Sequence, residues 1–301
     1  MTIRALALAA VFLSGAAMAE PRVVLTFDDL PVHGVLPAGF TRMGIAKELT
    51  DALTAGGIPP TVGFVNGVGA VNEPASAPVL KLWVESGNFL GNHTWSHPGL
   101  SNTPTASFET NTNRNEETLR QYAGTSDWHW FRYPFVDEGK DEAQRAEFRA
   151  FLAKSGYKIG TVTTGLNDWD YPSVYARCLA KSDGAAIAKL EAMYLARAEE
   201  GLAYSRKLSA ALYGHDIPYI MLLHIGSFQA HMLPKVIARY KELGVSFISL
   251  QEAMTDPHYA AYADPSLPAP PRGLEQALAA KNIPVPQGPD NHMAELEAMC
   301  K

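Results

Sequence analysis

Short apolar runs rich in β-branched and aromatic residues recur along the chain. They alternate with stretches whose apolar residues repeat every three or four positions. The runs Val23–Phe27, Thr61–Asn66, Asn88–Asn92, His129–Phe131, Lys158–Thr164, Tyr219–His224 and Ser246–Leu250 are predicted as strands. Between the first two, Ile45, Leu49, Ala52 and Leu53 fall on one helical face, and Gly56-Gly57 supplies the stop. A second helix carries Val79, Leu80, Trp83 and Val84 and ends at Gly87, and a third lies around Phe108–Tyr122. A fourth, from Asp141 to Lys154, places Phe148, Phe151 and Leu152 on one side, with Gly156 beyond its end. Val236, Ile237 and Tyr240 mark the helix before the last strand. Strands alternating with helices predict βαβ units and a parallel sheet. Seven such units in one domain predict an α/β barrel, closed or nearly closed.

Two regions break this rhythm. Residues 171–217 are too long for one crossover and carry helical periodicity (Ile187, Leu190, Tyr194, then Leu202, Leu208, Leu212), which predicts a helical insertion before the sixth strand. From Pro257 to the end, 257–301, prolines crowd the chain without a repeat, which predicts a C-terminal wrapping arm rather than another domain. The barrel domain is then 20–256. Residues 1–19 read as a signal peptide: Arg4, the apolar stretch Ala5–Leu13, then Ala17-Met18-Ala19 as a small-residue cleavage signal. That stretch is shorter than the roughly 20 residues a membrane span needs, and no other segment qualifies. The expected location is therefore periplasmic or secreted.

Composition narrows the class. Of 301 residues, 47% are hydrophobic and 19% charged, which excludes a disordered chain. The net charge of −6, with acids and bases interspersed, offers no footprint for nucleic acid. The only two cysteines, Cys178 and Cys300, form no CxxC zinc motif. In an exported chain they are expected to pair and pin the arm to the start of the insertion, the alternative being two free thiols.

The unusual polar residues collect just after the strands, where barrels build their sites. Asp28-Asp29 end the first strand, His93 and His97 follow the third, and Arg132 follows the fourth. Asp168-Trp169 follow the fifth, and His224 ends the sixth. One carboxylate and two imidazoles suit a divalent metal with positions left open. Adjacent aspartates diverge in an extended segment, so one is expected to bind metal and the other to act as a base. Arg132 would pair with that base, and an opposing histidine would protonate a leaving group.

These residues carry a resemblance. Val24-Leu25-Thr26-Phe27-Asp28-Asp29 resembles the first motif of the polysaccharide deacetylases, the NodB-type domain of carbohydrate esterase family four. His93-Thr94-Trp95-Ser96-His97-Pro98 is similar to their H-[ST]-x-x-H-P motif, and Arg132-Tyr133-Pro134-Phe135 to their R-x-P-[YF] segment. Asp168-Trp169 resembles the end of the fourth motif and Leu222-Leu223-His224 the fifth, all in the family's order over roughly residues 22–250. The resemblance implies a distorted (β/α)7 barrel, of the α/β class, that removes acetyl groups from N-acetylated sugars of a carbohydrate polymer. It implies Asp28 as base, oriented by Arg132, with Asp29, His93 and His97 as metal ligands and His224 as acid. The backbone N–H of Phe135 would help hold the oxyanion, and Trp169 and Leu222 would wall the acetyl pocket. Asp168 is grouped with these substrate-side residues, and the carboxylate that orients His224 would come from it or from Asp170, or be absent. The implied cofactor is a divalent ion, zinc first, with cobalt, nickel or manganese as alternatives.

Departures from the family pattern also matter. Leu30 stands where many members have Gly, and Gly165 where the fourth motif often begins with Asp. Gly67-Val68-Gly69 lacks the third glycine of a dinucleotide turn, and the mature chain has no G-x-S-x-G elbow. His33, His129, His215, His231, His258 and His292 receive no partner and are expected to be structural or at the surface. An O-acetyl esterase or a non-catalytic carbohydrate-binding relative remains an alternative. The oligomeric state is open.

Overall fold

The computed structural model describes residues 20–301; the expected signal peptide, 1–19, lies outside them. The chain runs through β1 (Arg22–Leu30), α1 (Arg42–Ala55), β2 (Val62–Val65), α2 (Gly67–Asn72), α3 (Pro78–Glu85) and β3 (Phe89–Asn92). It continues through α4 (Thr105–Tyr122), β4 (Trp130–Phe131), α5 (Glu142–Lys154), β5 (Lys158–Ile159) and β6 (Thr164–Gly165). Two helices follow, α6 (Tyr171–Ala180) and the 30-residue α7 (Gly184–Tyr213), before β7 (Tyr219–His224), α8 (Ser227–Glu242) and β8 (Ser246–Phe247). All strand pairs are parallel, in the order β5-β4-β3-β2-β1-β7-β6, with β8 against β1.

The sheet curls into a distorted barrel whose departures from regularity have local causes. The predicted strand Lys158–Thr164 is split. Its first half pairs with β4, ending at Gly160 N–H to Phe131 O (2.8 Å), and its second half pairs with β7, beginning at Thr163 N–H to Ile220 O (3.0 Å). The break falls where Gly160 crosses the ring of Phe64; a Cβ there would lie 2.6 Å from Phe64 Cζ. One kinked run thus supplies both edges. The last strand also departs from a simple barrel. Val23 pairs with Tyr219 of β7 and with Phe247 of β8, so β8 lies on the other edge of β1, ahead of β2, and does not separate β1 from β7.

Helices form where the apolar spacing places them and stop where caps end them. Thr41 accepts from Gly44 N–H at the start of α1, and Asp141 accepts from Gln144 N–H at the start of α5, each such cap stabilising by about 1 kcal/mol. Helix α1 buries Ile45, Leu49 and Leu53 against the sheet and α8. Leu49 is fully enclosed, and truncating such a leucine to alanine typically costs about 2–5 kcal/mol. Helix α7 lies across β6, an approach that needs Gly201, whose Cβ would sit 2.4 Å from Gly165 O. A separate aromatic cluster, Phe108, Phe131, Tyr133, Phe148 and Tyr157, fills the space under α4 and α5.

A short helix, α9 (Leu250–Ala253), precedes residues 257–301, which carry α10 (Ala260–Ala263), α11 (Gly273–Ala280) and α12 (Met293–Ala298) between proline-rich stretches. The segment is held from several sides. The Arg149 guanidinium donates to the carbonyls of Ala261 (2.9 Å) and Asp264 (2.8 Å). Cys178 of α6 and Cys300 form a disulfide, and Arg177 donates to Met299 O (3.0 Å). Among the described residues no helix is long and apolar enough to cross a membrane.

Candidate active site

Every strand that contributes to the site does so at its C-terminal end. The β1–β2 register slips between Phe27 and Leu30, and Asp29 leaves extended geometry for φ 65°. This overturns the expectation that the two aspartates diverge. Asp28 Oδ2 lies 3.7 Å and Asp29 Oδ1 3.6 Å from the same atom, His93 Nε2. What separates their roles is their other partners. Both Asp28 oxygens receive Arg132 Nη1 (3.1 and 3.3 Å), whereas Asp29 Oδ1 is buried without a hydrogen-bond partner.

That unpartnered oxygen faces His97 Nε2 at 3.5 Å, and His97 Nε2 lies 3.2 Å from His93 Nε2. Three donor atoms at these separations are spaced like neighbouring ligands around an ion with bonds of about 2.0–2.2 Å, so the residues fit a divalent metal. His93 is oriented for it: its Nδ1 sits 2.8 Å from Arg132 O, which leaves Nε2 with its lone pair toward the site. Burial and the neighbouring His93 pull the His97 pKa down to about 4, against the opposing pull of Asp29 and Asp28. At neutral pH the ring is thus uncharged, as a ligand must be. Burial alone would raise the Asp29 pKa, but the hydrogen bond from His33 and the nearby His224 and His93 hold it well below the usual range.

A buried amide network holds the loop that carries the two histidines. Asn66 Nδ2 donates to His93 O (2.6 Å) and Thr94 O (3.0 Å). Asn92 Oδ1 accepts from Thr94 N–H (2.9 Å) and from Asn115 Nδ2 (2.9 Å), and Asn115 Oδ1 accepts from Gly67 N–H (2.8 Å). Arg132 is enclosed as tightly: it donates to Gly160 O and to Thr26 Oγ1 (3.0 Å) and stacks over Phe64 (4.4 Å). Thr94, His97, Phe135 and Val136 take positive φ beside Asp29, a concentration of backbone strain of roughly 1–3 kcal/mol per residue that marks functional sites.

His224 stands opposite Asp28 in the β1–β7 ladder. Asp168 clamps it twice, accepting from His224 N–H (2.7 Å) and pairing with Nδ1 (2.8 Å). Burial would lower the His224 pKa, but the charge and hydrogen bond of Asp168, helped by Asp29 and Asp28, raise it to about 9. Of the two candidate partners, Asp168 is fully enclosed and Asp170 only half-buried, which decides between them. It also corrects the grouping of Asp168 with the substrate-side residues, because both of its oxygens are committed to His224.

The remaining sequence-predicted residues meet in one cavity of about 410 Å³. Phe135, Trp169 and Leu222 line it together with Asp28, Asp29, His93, His97 and His224. Phe135 (70% exposed) and Trp169 (47% exposed) form its rim, Phe135 edge-on to His97 (4.4 Å) and Trp169 edge-on to His224 (5.8 Å). Arg132 stands behind Asp28, outside the cavity wall. Leu30 points into the core against Gly63 and Trp83, and the turn falls one step later, at Val32 N–H to Asp29 O (2.9 Å). The expectation that His33 is structural or at the surface is overturned: it lines the cavity, bonds Asp29 and stacks on His224. The spacing Asp29-x-x-x-His33 was its only sequence signal. Asn66 and Asn92 were also missed, since asparagine at the end of a strand reads as a turn residue, and Asn115 was missed because it lies within α4 with no signal of its own.

Residues 15–160 match the polysaccharide deacetylase family model. Among solved structures, the fold is similar to a mutant, with restored enzymatic activity, of a carbohydrate esterase family four pseudoenzyme from Bacillus anthracis. That likeness has 16% identity and a TM-score of 0.56, and covers 79% of this chain and 69% of that one. It is also similar to the family-four domain of a multidomain xylanase from the hindgut metagenome of Trinervitermes trinervoides, with 17% identity, a TM-score of 0.51 and coverage of 78% and 90%. A peptidoglycan N-acetylglucosamine deacetylase, bound to a naphthalenyl N-hydroxybenzamide, shows 20% identity, a TM-score of 0.51 and coverage of 79% and 89%. At these identities the structural likeness is one of fold. The match to the polysaccharide deacetylase family thus spans residues 15–160, just under half of the 301-residue chain, and the barrel continues beyond them.

Proposed function

We propose that the protein is an exported, metal-dependent polysaccharide deacetylase that removes acetyl groups from N-acetylated sugars. The observation that carries this reading is the meeting of two differently tuned groups in one cavity. Asp28, tied to Arg132, and His224, tied to Asp168, flank the Asp29–His93–His97 donor set. Asp29, His93 and His97 would hold a divalent ion, zinc being the first candidate, which when bound would polarise a carbonyl and acidify water. Asp28 then accepts the proton of the attacking water at its carboxylate, kept in place by the two contacts to Arg132. His224, with its pKa lifted to about 9, remains protonated at neutral pH and delivers a proton from Nε2 to the leaving nitrogen. Trp169 and Leu222 give the acetyl methyl an apolar wall, and the Phe135 N–H serves the developing oxyanion. Export to an oxidising compartment, periplasmic or extracellular, is supported by the Cys178–Cys300 disulfide.

A protonated acid matters more to an amine leaving group than to an alcohol, so the raised pKa of His224 favours N- over O-deacetylation. Acetate release by zinc-loaded protein from chitooligosaccharides, peptidoglycan and acetylated xylan tests this. Release from at least one N-acetylated polymer is expected. Release from acetylated xylan alone would make the protein an O-acetyl esterase. Saccharide binding without any acetate release would make it a non-catalytic relative.

A further inference from the structure

We propose that His33 is a positioning residue for the metal site: it holds Asp29 so that one carboxylate oxygen alone is presented to the ion. His33 Nδ1 lies 2.8 Å from Asp29 Oδ2, while Asp29 Oδ1 is the buried oxygen without a partner, aimed at His93 and His97. The two oxygens are therefore divided, one anchored and one free. An ionised carboxylate can only accept, so Nδ1 carries the proton of this bond. The anchor is itself fixed from two directions. Arg42 donates to His33 O (2.9 Å) and Gly34 O (3.1 Å) while pairing with Glu73 (3.1 Å), which pins the loop. The imidazole stacks on His224 with centroids 4.3 Å apart and planes at 28°. One ring thus touches both the ligand carboxylate and the proposed acid.

Asp29, His33 and His224 also offer donor atoms that lie close together. A second ion there is disfavoured by the geometry. A nitrogen–oxygen separation of 2.8 Å is that of a hydrogen bond, and stacked rings tilted by only 28° direct their in-plane lone pairs side by side rather than at one nearby point. A partner that orients a ligand in this way typically contributes a factor of about 10–100 in metal affinity.

This inference rests on the metal site of the proposed function but not on its substrate, so metal binding tests it without any turnover. Full-length wild-type protein, His33→Phe, which keeps the stack and loses the donor, and His33→Asn, whose amide nitrogen sits where Nδ1 does, are titrated with Co²⁺ against a chelator. The number of ions per chain and the visible absorption of the bound cobalt are recorded. One ion per wild-type chain is expected, with affinity about 10–100-fold weaker and an altered spectrum in His33→Phe, and most of both recovered in His33→Asn. Should His33→Phe fail to fold, as judged by thermal unfolding of the metal-free protein, His33→Ala against His33→Asn makes the same comparison. Wild-type affinity and spectrum in the variant lacking the donor would overturn the role of His33 while leaving the metal site intact. Two ions in the wild type, one of them lost with His33, would overturn it by making His33 a ligand. No ion in the wild type would overturn both readings.

Discussion

The two sides of the cavity are built by different means. On the metal side, His93 and His97 sit in a loop pinned by three asparagines, one just after β2, one in β3 and one in α4, and Asp28 is pinned by an arginine that is itself bonded to Thr26 of β1 and to Gly160 just after β5. No single bond there carries the arrangement. On the acid side, the orientation and charge of His224 both pass through one carboxylate, Asp168, whose segment is backed by the inserted helices α6 and α7 and, through a disulfide, by the C-terminal segment. A ligand set must hold several atoms to within a fraction of an ångström, which a network achieves, whereas a proton donor needs mainly one tuned partner. The two sides should accordingly fail separately.

The largest effect is expected from breaking the metal side at a ligand. His97→Ala should lose most of the bound metal and all detectable turnover, while circular dichroism shows an intact barrel and acid side. Full metal content by elemental analysis would remove His97 from the ligand set.

Breaking the acid side comes next. His224→Ala should retain the metal and lower N-deacetylation by about 10²–10⁴, with a smaller loss on an activated aryl acetate, whose leaving group needs no proton. Equal losses on both substrates would make His224 a positioning residue. The pH dependence carries a sign. The folded pKa of His224 is raised from 6.5 to about 9, so its pairing stabilises the metal-free protein fully below about pH 6.5, and that contribution is lost as the pH rises through about 9. Urea midpoints across this window should fall in the wild type and more shallowly in His224→Ala, and the alkaline limb of kcat/KM should disappear with the imidazole.

A smaller effect sharpens the contrast. Replacing Cys178 and Cys300 by alanine should destabilise the fold by about 2–4 kcal/mol and leave metal affinity unchanged, since the bridge backs the acid side only. Loss of metal binding in that variant, measured by titration, would mean that the two sides are coupled.

The same division explains what could be read from the residues alone. Asp28-Asp29 and His93…His97 are legible because their spacing is local and their chemistry belongs to one loop each. The Asp168–His224 clamp joins positions 56 residues apart, and what separates Asp168 from Asp170 is its two bonds to His224 and its enclosure, neither of which shows in the sequence. His33 was hidden because its partner's backbone leaves the strand at Asp29, a local bend that no periodicity reports. In the fold, seven units were legible, but the partner exchange at Gly160 and the side of β1 that β8 joins depend on which ring or strand lies alongside, information held by residues far away in the chain. The prolines from Pro257 onward suggested extended chain, yet helices form between them wherever apolar residues such as Leu274, Leu278 and Leu296 find a surface to pack on.

The most direct test separates holding the metal from using it. Asp28→Asn keeps the size of the side chain and removes only its ability to take a proton. Metal content and acetate release from an N-acetylated oligosaccharide are measured on the same sample. The prediction is one ion per chain, as in the wild type, with nearly all turnover lost. Wild-type acetate release in Asp28→Asn, or loss of the metal with the activity, would contradict the assignment of Asp28 as the base.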